Sequence, residues 1–146
     1  MRIADDVLFP AAAAVDSADV VPRSQLDALA GAGFYGIAAP VAEGGVGPEA
    51  ADADGFEVMC DGVAALAGGC LATTFVWLQH LGPVMSVAAC PIPGIREAWL
   101  RPLARGERRA GVAQAGVRPG PARVHIARVA GGFLVRGETA WVTGWV

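Results

Sequence analysis

The alternation of apolar and polar positions divides the chain into a helical first part and a strand-bearing last part. Residues 23–32, RSQLDALAGA, read as a short helix with Ser24 as its N-cap and Gly31 or Gly33 as its stop. Residues 33–47, GFYGIAAPVAEGGVG, crowd glycines and a proline behind a short apolar run, which predicts a shaped loop. From about Pro48 to Leu66 a helix is expected, because Phe56, Met59, Cys60, Val63, Leu66 and Ala67 recur at three- and four-residue steps. Gly68 and Gly69 loosen that pattern. Residues 70–81, CLATTFVWLQHL, resume as a helix that is apolar on nearly all sides and therefore expected to be buried. Pro83 is expected to open or kink the next segment, which reaches Ala89. CPIPG ends it, and residues 95–107 read as a last short helix stopped by Gly106.

Beyond Gly106 the period changes. Residues 110–116, AGVAQAG, are small and apolar. Residues 123–129 alternate, with Val124, Ile126 and Arg128 on one face and His125, Ala127 and Val129 on the other. Gly131 and Gly132 make a turn, and FLVRGETAWVT runs back as the second arm of a hairpin. The fold class is thus α+β: four or five helices in residues 1–107, then the start of an antiparallel β unit in residues 108–146. A hairpin and one further strand neither close a barrel nor cover their own edge.

Charge changes at the same place. Residues 1–95 carry 2 Arg against 11 Asp and Glu, a balance of −9. Residues 96–146 carry 9 Arg against 3 acids, a balance of +6, and the whole chain stands at −3. The basic part suits either an anionic ligand or a solvated Arg-bearing surface. No nucleic-acid partner is assigned. With 146 residues, 54% of them hydrophobic, and a mean hydropathy of +0.46, the chain can bury a sizeable core and is too apolar for disorder.

Two Asp inside the first apolar stretch argue against a signal peptide. The uncharged stretch 62–95 is long enough to span a bilayer, but its glycines, threonines, Gln79, His80 and Pro83 favour two buried helices. Cys60, Cys70 and Cys90 are odd in number and widely spaced in apolar surroundings, so reduced core residues of a cytoplasmic protein are expected. His80 and His125 fall in different units, and no metal site is assigned.

No self-contained active site is visible: there is no Ser/His/Asp set and no close carboxylate pair. GGVG at 44–47 follows no clear strand and lacks the spacing of a dinucleotide loop. The last residues, AWVTGWV, offer Trp141 as a broad face, Thr143 as a hydroxyl and Gly144 for close backbone approach. That set suits a flat aromatic ligand, or simply hydrophobic packing.

Four landmarks in order resemble the first part of an acyl-CoA dehydrogenase-type flavoprotein. LAGAGFYGIAAPVAEGGVG resembles the family's early segment ending in Pro-Glu-Glu-Tyr-Gly-Gly-x-Gly; Pro40, Gly44, Gly45 and Gly47 match, while Val41, Ala42 and Glu43 depart. WLRPLARGE resembles the helix that closes the family's N-terminal α-domain. AGVAQAG stands where the family has its first flavin-contacting strand. GGFLVRGETAWVTGW resembles Gly-x-Tyr-x-Leu-Asn-Gly-x-Lys-x-Trp-Ile-Thr, with Gly132, Phe133, Val135, Gly137, Trp141, Val142 and Thr143 in the corresponding places.

The resemblance implies FAD as cofactor and α,β-dehydrogenation of an acyl-CoA thioester, with an electron-transfer flavoprotein as redox partner and a homo- or hetero-oligomer at full length. It implies that Trp141 packs along the flavin, that Thr143 bonds near its N5 edge, and that backbone N–H groups at Ala113 and Gln114 serve the pyrimidine side. The rest of the β-barrel and a C-terminal helical bundle, which carries the family's catalytic carboxylate, would lie beyond residue 146. No catalytic residue is therefore assigned, and Glu43, Glu107 and Glu138 are not promoted to that role. One departure matters: Ala113 replaces a hydroxyl residue and Gln114 a Glu, so one side-chain hydrogen bond worth about 1 kcal/mol is missing. A non-catalytic partner subunit or decayed fragment, and a flavin monooxygenase of the same fold, are the alternative readings.

Overall fold

The structure, a computed structural model, describes residues 2–45, 53–114 and 119–143. The chain opens with a π-helical turn, Ala4–Leu8, that runs into α1, Phe9–Asp16. Pro10 lacks the N–H that an α-helix would give to the Asp6 carbonyl, and the wider turn accommodates that gap. This helix was not legible in the sequence pattern. α2 is Arg23–Gly31, α3 Ala53–Gly69, α4 Leu71–Ala88 and α5 Pro93–Ala104. Two 3-10 turns, Phe34–Gly36 and Val41–Glu43, shape the connection after α2. The strands β1, Val124–Val129, and β2, Gly132–Gly137, form one antiparallel hairpin in which Ile126 faces Val135 and Arg128 faces Phe133.

Several local expectations are corrected. Pro22, not Ser24, is the N-cap of α2: its extended backbone ends the preceding chain, and Ser24 already lies inside the helix. Pro83 neither opens nor ends a helix; α4 runs through it. Leu81 and Val84, buried on either side of it, hold the helix to the core despite the lost hydrogen bond. α5 starts at Pro93, whose missing N–H costs nothing in the first turn, and ends at Ala104 with Gly106 left-handed behind it. The hairpin turn is Ala130–Gly131, since Gly132 already pairs with Val129.

The core lies among the helices. Leu8, Leu29, Leu66, Trp77, Val84, Leu100 and Leu103 are all buried there, and α4 supplies its centre. α4 buries one face only: Thr73, Thr74, Trp77, His80, Leu81 and Val84 point in, while Leu71 and Phe75 are exposed. The expected stripe on α3 is also narrower than its spacing suggests. Leu66 is buried, with Met59 and Val63 packed beside it, whereas Phe56 and Cys60 face solvent. Of the three free cysteines only Cys70 is a core residue. Among the described residues no helix is long and apolar enough to cross a membrane.

The loop after α2 is closed by backbone packing. Gly44 adopts φ +86°, and a Cβ on Gly45 would overlap the carbonyl oxygens of Ala39 and Gly36. Two of the four matched loop positions thus have a steric reason to be glycine. Gly47 and Pro48 lie outside the described residues, as do residues 115–118 and 144–146.

Candidate functional site

After α5 the chain turns back at Gly106 and runs past Asp27 of α2 and His80 of α4. Arg109 is drawn toward α2, where its Nη2 donates to Asp27 Oδ1 at 2.5 Å. Its guanidinium also sits 5.3 Å from the centre of the Tyr35 ring. Tyr35 is buried between that cation and the imidazole of His80, whose ring centre lies 4.7 Å away.

His80 is 2% exposed. The Ala110 N–H donates to its Nδ1 at 3.1 Å, and the Leu103 carbonyl lies 3.0 Å from its Nε2. One side chain on α4 thus ties the end of α5 to the strand-ward segment. Burial pushes the His80 imidazole below its ordinary value of 6.5, and the neighbouring Arg109 charge acts in the same direction; the Leu103 carbonyl opposes them. Burial raises the Tyr35 phenol, against the pull of Arg109 and with a small contribution from Asp27.

A cleft of about 530 Å³ opens beside these residues; Arg23, Tyr35, His80, Arg109, Ala113 and Thr143 are among its lining. Its two late walls touch: a Cβ on Gly111 would stand 2.6 Å from the Thr143 carbonyl oxygen, so only glycine admits this approach. Thr139 Oγ1 and Arg109 Nε are both buried with no protein hydrogen-bond partner.

The residues singled out in the sequence divide here. Ala113 and Thr143 line the one cleft, although they are 30 positions apart. Gln114 and Trp141 are exposed and are not part of that lining. Trp141 is 77% exposed and holds φ +59°, the one described non-glycine residue in the left-handed region. The expected strand at 110–116 is absent from its described part, residues 110–114, and β2 stops at Gly137, so Trp141 and Thr143 stand in irregular chain. Neighbouring strands to pair with are not among the described residues, and without them extended segments gain no ladder.

Tyr35, Asp27 and Arg109 had no signal in the sequence, because ion pairs between positions 82 apart follow from tertiary packing alone. His80 did have one: it is a polar residue in an otherwise apolar helical run, and it is hydrogen-bonded within the core. Among the described residues no three His, Cys, Asp or Glu side chains gather as a metal site.

The family of acyl-CoA dehydrogenase N-terminal domains matches residues 1–107, and the chain belongs to that family. A curated relative, the benzylmalonyl-CoA dehydrogenase of Aromatoleum aromaticum, is 28% identical over 97% of this chain. The chain spans 37% of that relative's length. No solved structure matches.

Proposed function

We propose that the chain is the N-terminal part of an FAD-dependent oxidoreductase that dehydrogenates an acyl-CoA thioester between Cα and Cβ. The observation that carries this reading is the meeting of Gly111 and Thr143 at one cleft, within a chain of this family. Residues 1–107 would form the helical unit and residues 108–146 the start of the flavin-side β unit.

The residues present fit an isoalloxazine ring in kind. Ala113 offers backbone at the cleft, Thr143 a hydroxyl, and Arg109, whose buried Nε has no protein partner, lines it as well. Trp141 keeps a left-handed backbone that a bulky side chain adopts only under strain, and such strain gathers at ligand sites. Bound there, the flavin would supply hydride acceptance and pass electrons to an electron-transfer flavoprotein. This chain's residues would do the rest: Ala113 and Gln114 hold one ring edge through backbone N–H groups, Trp141 covers a face, and Thr143 fixes the other edge. The carboxylate that removes the α-proton would come from chain beyond residue 146. A cytoplasmic oligomer is the expected setting.

The relative's substrate gives the first compound to try. The full-length protein should purify yellow, and its flavin should bleach anaerobically on adding benzylmalonyl-CoA or a simple acyl-CoA thioester. A colourless protein that takes up no FAD would sink the reading and leave the non-catalytic partner subunit. Bleaching only by a reduced nicotinamide would point to the monooxygenase branch.

A further inference from the structure

We infer that His80, held as the neutral Nε2–H tautomer, is a positioning residue that fixes the 110–113 backbone against Thr143. The argument rests on two backbone groups of opposite polarity. Ala110 brings an N–H to Nδ1 at 3.1 Å, so Nδ1 must offer a lone pair. Leu103 brings a carbonyl oxygen to Nε2 at 3.0 Å, so Nε2 must carry the proton. No other side chain with one donor and one acceptor on a rigid ring satisfies both at this spacing.

The consequence runs along the chain. Ala110 is fixed by the ring; Gly111 follows and abuts the Thr143 carbonyl; Ala113 and Thr143 then line the cleft. His80 therefore acts on the Thr143 side of the cleft through Ala110 and Gly111. An imidazolium would set its Nδ1–H against the Ala110 N–H, donor facing donor, and the segment would have to move. The groups around the ring do not favour that charge. Tyr35 packs on it, Arg109 is the nearest cation, and Asp27 is already engaged by Arg109. Arg23 and Glu107 line the same cleft.

This inference rests on the flavin reading for its functional half only. The decisive measurement is made first on the unaltered full-length protein: the ring nitrogen shifts of His80 by NMR. An unprotonated Nδ1 and a protonated Nε2 at neutral pH are expected; the opposite tautomer, or a charged ring, overturns the inference. Two substitutions then separate polarity from packing. His80→Asn keeps an oxygen acceptor near the place of Nδ1, whereas His80→Gln reaches toward Leu103 with an amide donor. The Ala110 amide should exchange within about threefold of wild type in His80→Asn and about tenfold faster in His80→Gln. FAD affinity should follow the same order. In wild type it should weaken only as pH falls through the lowered pKa of the buried ring, and in His80→Asn that dependence should flatten. Equal behaviour of the two variants, or the reverse order, overturns the inference. A wild-type protein that takes no FAD defeats the flavin reading, and the tautomer and Ala110 exchange still decide the role of His80.

Discussion

The ring of Phe34 stands edge-on to the indole of Trp77, with centroids 6.0 Å apart and planes at 90°. Edge-to-face contact places the positive rim of one ring on the negative face of the other. It also locks the 3-10 turn after α2 onto the middle of α4, which is the joint that carries Tyr35 beside His80. Trp77 is fully buried, and its Nε1 has no protein partner. Trp77→Ala should therefore cost about 3–5 kcal/mol in urea unfolding. Trp77→Phe keeps a ring and removes the unpaired donor, so it should cost less than half as much; equal losses would mean that the indole N–H is bonded after all.

Adjacent glycines near the end of α3 should respond in opposite directions to alanine. A Cβ on Gly69 would stand 2.8 Å from the Ala4 carbonyl oxygen and 3.0 Å from Leu8 Cβ, while a Cβ on Gly68 meets nothing. Gly68→Ala should stabilise by up to about 1 kcal/mol through helix propensity. Gly69→Ala should destabilise by about 1–3 kcal/mol, because α3 and the first turn must part. Melting temperatures of the two variants, moving up and down respectively, are the check.

Stability should fall on both sides of neutrality, for two different reasons. The His80 pKa is lowered in the folded state, so between that value and 6.5 the unfolded chain binds more protons and stability is lost as pH falls. Tyr35 is raised above 10.0, so the unfolded chain gives up its proton first and stability is lost as pH climbs past 10. Urea midpoints across the pH range should show the alkaline loss disappear in Tyr35→Phe while the acid loss stays. Retention of the alkaline loss would assign it to another group.

Asp27 receives Arg109 at 2.5 Å and lies 4.0 Å from Arg23, yet its side chain is 56% exposed. Solvent screening limits what such a carboxylate contributes. Asp27→Asn should lower stability by less than about 1 kcal/mol, and the loss should shrink in high salt. Arg109→Ala should cost more than Asp27→Asn and keep most of its effect in salt, since its largely buried guanidinium also lies over the Tyr35 ring. A double-mutant cycle at two salt concentrations separates the charge from the packing.

Much of the helical order was legible, because α2, α3, α4 and α5 each carry an apolar repeat or a Gly or Pro boundary. α1 was not: its alanines are apolar all round and give no stripe to read. The inward face of α4 was overdrawn for a related reason. A helix apolar on every side does not announce which side meets the core, and Leu71 and Phe75 turned out to face solvent. At the cleft, Ala113 and Thr143 were reached through family likeness, whereas the Asp27–Arg109 pair arises only once α2 and the post-α5 segment are folded side by side. Why Trp141 takes a left-handed backbone has no account in local sequence.

β1 and β2 pair over six residues each, but of all twelve only Val124 is even partly sheltered. A ladder without a buried face has little besides its own hydrogen bonds to resist opening. In an exchange experiment the molecule should thus behave as two bodies with separate clocks. Amides on α4 would wait for the whole helical unit to unfold, while those of the hairpin would trade their hydrogens through a local opening that leaves the helices untouched.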